Sequence, residues 1–148
     1  MQTEQLTQQL SIPISPGLAP ISTNTNATIG PIDMLKYNRV MAHVQLGVVG
    51  TASNVQAFFQ GCNTNTGSFA NISGANTLTL STTNAEGTLE LRGDQLAVNT
   101  GFRFVQLNLT LNGANASLLS AQVFGGQGPY KPQSQYDNTA LAGNRLVM

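Results

Sequence analysis

Charged residues are scarce in this chain of 148 residues. Six basic and six acidic side chains make up 8% of the sequence, whereas a globular domain averages about 25%. The net charge is zero, so the chain lacks the clustered Lys and Arg that nucleic-acid binding requires. A hydrophobic content of 41% excludes charge-driven disorder, and no apolar run approaches the roughly 18 residues of a membrane span. We therefore expect neither nucleic acid nor a membrane as a partner.

Cysteine, histidine and tryptophan are also nearly or wholly missing. Cys62 is the one cysteine, so no internal disulfide forms and a core has to hold the fold. Its loop offers no nearby base, which disfavours a nucleophilic role. His43, the one imidazole, alternates with Met41 and Gln45 as a structural strand residue would. The His, Cys and acidic spacings suit neither zinc nor calcium. We expect no enzymatic activity, no metal and no cofactor.

The remaining candidate chemistry lies in the carboxylates. Five of them are candidates for a catalytic acid pair: Asp33, Glu86, Glu90, Asp94 and Asp137. Glu86 and Glu90 flank the start of a predicted strand, which favours a solvated face. Arg92-Gly93-Asp94 spells a tripeptide that cell-adhesion receptors recognise, but a strand end, a Gly turn and an Asp helix cap explain it without a receptor.

The prolines divide the chain into three parts. All six lie near the ends, at positions 13, 16, 20, 31, 129 and 132. Because proline removes a donor from a β-ladder, the Pro-free middle is where a sheet can form. We predict an extended N-terminal arm at residues 1–31, a β-sandwich body at residues 32–128 and a C-terminal tail at residues 129–148. A single folded domain is the expectation at this length.

Apolar and polar residues alternate repeatedly through the body. The alternation predicts six strands, in residues 37–49, 54–60, 76–81, 88–92, 102–111 and 117–124, and weaker strands near Met34 and Phe69. The Asn112-Gly113 turn predicts a hairpin between the last two strands, and residues 94–100 predict one helical turn capped by Asp94. Eight short strands indicate an all-β fold, an antiparallel sandwich or barrel, and suit a jelly-roll-like β-sandwich.

Both terminal segments carry apolar residues in a setting with almost no charge. We predict that they anchor the chain to neighbouring subunits through strand addition and apolar pockets. The predicted interface residues are Ile12, Ile14, Leu18, Ile21, Ile29, Tyr130, Tyr136, Leu141 and Val147. Flexible tails without a role remain the alternative. An oligomer is expected because association would bury outward apolar positions such as Met41, Phe58 and Phe102.

Residues 89–109, LELRGDQLAVNTGFRFVQLNL, resemble a pattern in small structural proteins of tailed bacteriophages. There, a strand ends in a charged turn, a short QL segment follows, and an aromatic-Arg-aromatic strand returns, here Phe102-Arg103-Phe104. Asp33-Met34-Leu35 and residues 37–49 are similar to the first long strand of those proteins. The resemblance covers residues 32–126 and leaves out the arms.

This resemblance implies a capsid decoration, or cement, protein with a jelly-roll-like sandwich. Such a protein is made in the host cytoplasm and resides on the virion surface, typically as a homotrimer clamped over major capsid protein subunits. No catalytic residue carries over. Two alternatives stay open. One is a glycan-binding sandwich module of a phage tail or fibre, using Asn- and Thr-rich faces with Phe58, Phe102 and Tyr37, although Trp is absent. The other is a cellular structural module without a viral link.

Overall fold

The computed structural model describes residues 10–11, 19–21, 26–51, 53–99, 101–113 and 117–128. Within these ranges the chain is almost entirely β-structure. The strands are β1 (Leu10–Ser11), β2 (Ala19–Ile21), β3 (Asn26–Asp33), β4 (Arg39–Leu46), β5 (Asn54–Cys62), β6 (Ala70–Asn71), β7 (Leu78–Leu80), β8 (Glu86–Arg92), β9 (Phe104–Asn112) and β10 (Ser117–Gly126). Helix α1 (Gly93–Asn99) lies between β8 and β9.

The strands form two antiparallel sheets. In sheet A, β1 and β2 both pair with β10, which pairs with β4, which pairs with β8. In sheet B, β3 pairs with β9, β9 with β5, and β5 with both β6 and β7. The pairings are nested along the chain: β1 and β2 pair with β10, β3 with β9, β4 with β8, and β5 with β6 and β7. A long hairpin folded over in this way is a jelly roll, so the predicted all-β sandwich is confirmed.

The alternation that predicts the strands also builds the core. In β4, Val40, Ala42, Val44 and Leu46 are buried, while Arg39 and Gln45 are exposed. Strands β5 and β9 contribute inward rows in the same way, and the two inner faces pack against each other. Helix α1 forms where a helical turn is predicted, with Asp94 in its first turn and its Oδ1 accepting a hydrogen bond from Gln95 N at 3.0 Å.

The hairpin predicted at Asn112-Gly113 is wrong. Strands β9 and β10 belong to different sheets, and the connection between them crosses from sheet B to sheet A. Both edges of β9 are already paired, one with β3 and the other with β5. Of the two turn residues, Gly113 alone has a positive φ, 138°, and a Cβ there would lie 2.5 Å from the Ser53 Cα, whereas Asn112 is the last residue of β9. The turn residues therefore do not determine which strand β10 pairs with.

The predicted boundary between arm and body, at residues 31 and 32, falls inside β3. Residues 26–29 pair with β9, and Ile29 is buried in the core of its own chain, 6% exposed. A register shift between Ile29 and Ile32 lets both face the core at a spacing of three residues. Strict period-two alternation misses that spacing, and Pro31 interrupts the pattern further. The body therefore begins earlier than the sequence predicts.

The pairing of residues 10–11 and 19–21 also differs from the prediction that the N-terminal arm pairs with a neighbouring subunit. In the structure, β1 and β2 add to β10 of their own chain. An unpaired β10 would expose an edge of backbone donors and acceptors. A segment of the same chain reaches that edge at high effective concentration, so pairing within the chain is favoured over pairing between chains.

Candidate functional site

One side of the outer face of sheet A carries ion pairs. Arg39 Nη1 lies 3.4 Å from Glu90 Oε1, and His43 Nε2 lies 3.6 Å from Glu86 Oε2. Gln45 Nε2 also donates to Glu86 Oε2, at 3.4 Å. We call these residues of β4 and β8 the charged strip. Each glutamate contacts a basic group instead of a second carboxylate, so the interpretation of Glu86 and Glu90 as a solvated face holds.

The adhesion-like tripeptide follows directly after β8. Arg92 and Asp94 form an ion pair with each other, between Nη2 and Oδ2. The Arg92 backbone N–H donates to Gln95 Oε1 at 3.0 Å, which fixes the junction between β8 and α1. The two charged side chains therefore satisfy one another at a helix start, as the structural interpretation of this motif predicts.

The β10 side of the same face carries apolar residues at its two ends, with the polar register pairs Ser120–Gln45 and Gln122–His43 between them. Val48 is 65% exposed and Leu118 is 56% exposed, and the Leu118 N–H donates to the Val48 carbonyl at 3.2 Å. Further along β10, the half-buried Phe124 is the register partner of the half-buried Met41 on β4. We call Met41, Val48, Leu118 and Phe124 the apolar strip. It borders β1 and β2, the paired parts of the N-terminal segment.

The outer face of sheet B is different, since the central strands β5 and β9 contain no charged residue in their sequences. Their outward carboxamides and a hydroxyl are joined by hydrogen bonds. Gln60 Oε1 accepts from Gln106 Nε2 at 3.0 Å and from Asn108 Nδ2 at 3.2 Å. Gln60 Nε2 donates to Asn71 Oδ1 at 3.0 Å, and Thr110 Oγ1 donates to Asn108 Oδ1 at 3.0 Å. We call these five residues the amide network.

A cleft of about 580 Å³ opens beside this network. Strand β5 pairs with β7 up to Ala57 and with β6 from Gln60. The connection between β6 and β7 leaves the sheet across the two intervening residues of β5, and the cleft forms there. Its lining consists of Gln56, Phe58, Phe59, Asn71, Ile72, Ala75, Thr77 and Thr79. Aromatic and aliphatic groups thus lie beside carboxamides and hydroxyls, with no ionisable side chain among them.

A carboxylate and a guanidinium are clamped together at one end of sheet B. Arg103 donates from Nε to Asp33 Oδ1 at 3.1 Å and from Nη2 to Oδ2 at 2.8 Å. The Leu35 backbone N–H adds a bond to Oδ1 at 3.1 Å. The hydrogen bond from Arg103 holds the pKa of Asp33 below its ordinary value, against an opposing effect of burial. The guanidinium carbon lies 4.9 Å from the Phe104 ring centroid, a cation–π distance. The clamp ties the start of β9 to the end of β3.

The aromatic residues predicted for a glycan-binding face separate in the structure. Phe58 lines the cleft. Tyr37 is 1% exposed in the core and is not part of an outer face, which corrects that prediction. Phe102 is half-buried and packs over Gly61, where a Cβ would lie 2.3 Å from its ring. Cys62 is buried at the end of β5, with its Sγ 3.9 Å from Thr64 Oγ1.

Most of the predicted interface residues lie outside the described ranges. These are Ile12, Ile14, Leu18, Tyr130, Tyr136, Leu141 and Val147. Ile21 belongs to β2 and pairs with Ser117, whereas Ile29 lies in the core. Among the described residues, no three His, Cys, Asp or Glu side chains come together as a metal-ion site would require. None of the helices in that same part of the chain is long and apolar enough to cross a membrane.

Comparison with known proteins identifies no family for this chain. No protein-family model matches the chain, and no curated protein matches it. Among solved structures, a chain of the structure of infectious bursal disease virus Gx strain is similar, with 11% identity and a TM-score of 0.37. The match covers 80% of this chain and 35% of the viral one, so this protein spans about a third of that neighbour's length.

Proposed function

We propose that this protein is a non-enzymatic structural virion protein. In this account it binds the outside of a phage capsid and cements neighbouring major capsid subunits, through its terminal segments and one face of sheet A. The jelly-roll topology supports the first part, since viral capsid domains are among its frequent uses. The resemblance of residues 89–109 to phage structural proteins supports the second.

The observation that carries the proposal is the apolar strip. Val48 and Leu118 are large exposed apolar residues joined by a backbone hydrogen bond, and Leu118 is the register partner of Pro20 in β2. Association would remove them from water at about 25 cal/mol per Å² of apolar surface. Neither Val48 nor Leu118 carries a charge, so burying these two side chains brings no cost of desolvating an ion.

The proposed mechanism is additive. Each copy that bridges a junction between shell subunits adds buried area across it. A homotrimer multiplies weak individual contacts, because the second and third arms bind at high effective concentration. An attachment made by apolar contacts should weaken little between low and high salt, since screening acts on charges.

The test replaces the exposed apolar pair by charge, as the double variant Val48→Asp/Leu118→Asp. Both side chains are exposed, so the core is left intact. Purified variant is added to particles that lack the protein, and the bound 15.6 kDa band is quantified after sedimentation. We expect the apparent affinity to fall about tenfold or more, as for the loss of a central apolar contact. Thr66→Asp, in the exposed loop that follows β5 of sheet B, is the matched control. Equal binding of both variants would overturn this account of attachment.

A truncation tests the role assigned to the tail. Ending the chain at Gly128 keeps every described strand and removes the predicted anchors Tyr130, Tyr136, Leu141 and Val147. We expect the truncated protein to melt at the wild-type temperature but to bind particles more weakly. Unchanged binding would assign the attachment to the N-terminal segment and the apolar strip alone, and would remove the tail from the proposal.

A further inference from the structure

We propose that the cleft on sheet B binds a neutral saccharide. This goes beyond attachment to a shell, because the cleft lies on the opposite sheet from the apolar strip. At about 580 Å³ the cleft has the size of an ordinary small-ligand site. Its two walls are β5 on one side and the connection from β6 to β7 on the other.

The chemistry of the lining selects the class of ligand. Gln56, Thr77 and Thr79 offer carboxamide and hydroxyl groups that both donate and accept hydrogen bonds. Within the described part of the chain, these three side chains make no hydrogen bond to protein, so their capacity is open to a ligand. Sugar hydroxyls likewise donate and accept, and adjacent hydroxyls match the two ends of a carboxamide.

The apolar part of the lining fits the other half of a sugar. Phe58 is half-buried and alternates with the inward residues Ala57 and Phe59 of β5, and the lining also includes Ile72, which is buried in the core. A pyranose ring has one face of C–H groups, which packs on an aromatic ring while the hydroxyls at its rim remain hydrogen-bonded. A purely apolar ligand would strip water from the polar groups without replacing their hydrogen bonds. A phosphorylated ligand would find no cation in the lining.

The amide network positions one wall of the cleft. Asn71 lines the cleft, and its Oδ1 accepts from Gln60 Nε2. The Gln60 carboxamide cannot rotate by 180° without losing the bonds that its Oε1 accepts from Gln106 and Asn108. The orientation of Asn71 is therefore set before a ligand arrives, which lowers the entropy lost on binding.

The test is an array of immobilised glycans probed with the full-length protein. The array holds neutral glucans, galactans and chitin oligosaccharides, sialylated and phosphorylated glycans, and one uncharged Asn- and Thr-rich peptide. We expect binding to at least one neutral glycan series. Phe58→Ala should weaken that binding about tenfold or more, and Gln60→Ala, a positioning change, should weaken it by a smaller factor. Thr28→Ala, on the same sheet but outside the cleft, is the control and should bind as wild type.

Thr77→Trp provides a variant that leaves the core alone, since Thr77 is exposed and the indole would fill the cleft. It should abolish glycan binding while the protein melts as wild type. The proposal is overturned if no neutral glycan binds, if the acidic glycans or the peptide bind instead, or if Thr77→Trp binds as well as the wild type. Particle binding by Thr77→Trp should be unchanged, which separates this proposal from the proposed attachment.

Discussion

The two outer faces of this sandwich differ in how their polar side chains are paired. Of the twelve charged residues in the chain, four lie on β4 and β8 of sheet A, where Arg39 and Glu90 form an ion pair and Glu86 lies beside His43 and Gln45. Strands β5 and β9 at the centre of sheet B have no charge, and their carboxamides bond to one another instead. The few charges are therefore unevenly distributed. One face carries solvated charges and the apolar strip, whereas the other has uncharged central strands and a cleft, with the Asp33–Arg103 pair at one end. We call these uncharged central strands the neutral face.

The difference has an energetic meaning. Exposed ion pairs contribute about 0–1 kcal/mol each, because water and salt screen them. A half-buried amide network contributes through several hydrogen bonds at about 0.5–1.5 kcal/mol each, and it penalises any member left without a partner. We therefore expect the neutral face to be sensitive to single polar substitutions and the charged strip to be tolerant of them.

The largest expected effect comes from placing a charge in the neutral face. Asn108 is 6% exposed, and its Nδ2 donates to Gln60 Oε1. In Asn108→Asp a carboxylate oxygen replaces the donating amide nitrogen and faces Gln60 Oε1. Because this carboxylate is buried, the free energy of unfolding should fall by about 2 kcal/mol or more. Burial would raise the pKa of the new carboxyl in the folded state above its unfolded value, so the loss would fade as pH falls through the folded value and be gone below about 4. Urea unfolding at pH 7 and pH 3 measures this.

Thr88→Asp on the charged strip is the matched control for that substitution. Thr88 is exposed and opposite His43 in the register, so its change in the free energy of unfolding should stay within about 0.5 kcal/mol. If both aspartates are equally well tolerated, then the two faces do not differ in the way proposed.

A smaller effect is expected at the clamp between Asp33 and Arg103. The pKa of Asp33 is lowered in the folded state, so the clamp stabilises the protein above the unfolded value of about 4 and is lost as pH falls through the folded value. Asp33→Asn should lower Tm at pH 7 by about 2–4 °C, a modest shift because Arg103 is exposed. Once the pH is below the lowered folded value, the variant and the wild type should converge.

The smallest effect should come from Glu90→Gln, which breaks the exposed pair with Arg39. We expect a Tm change of less than about 2 °C at low salt and none at high salt. Thermal melts of both variants across pH and salt measure the contrast. A Tm loss for Glu90→Gln as large as that for Asp33→Asn would show that enclosure of the carboxylate does not distinguish the two pairs.

Many strands of the sandwich can be predicted from the sequence, because one face of each strand is buried and the other is not. The strands predicted at residues 37–49 and 102–111 appear as β4 and β9, with ends trimmed by a few residues. The start of the body cannot be predicted in this way, since the register shift between Ile29 and Ile32 breaks the alternation of buried and exposed residues. The Asn112-Gly113 hairpin failed because β9 had no free edge to offer.

The candidate sites were harder to predict than the strands. Alternation shows that Gln60, Gln106 and Asn108 point outward. Their hydrogen bonds require the register between β5 and β9, which brings Asn108 within reach of Gln60, 48 positions away. Asp33 and Arg103 are separated by 70 positions. Of the apolar strip, the sequence identifies Met41 as an outward apolar residue. Val48 and Leu118 come together only through the backbone hydrogen bond that joins the segment after β4 to β10.

The central claim concerns which face meets the shell, and an electron cryomicroscopy reconstruction of virions carrying the protein tests it most directly. The account predicts the jelly roll seated with Met41, Val48, Leu118 and Phe124 against the major capsid protein, and with the outer face of sheet B open to solvent. A reconstruction in which sheet B lies on the shell and Leu118 faces water would contradict it, as would virions without any density for the protein.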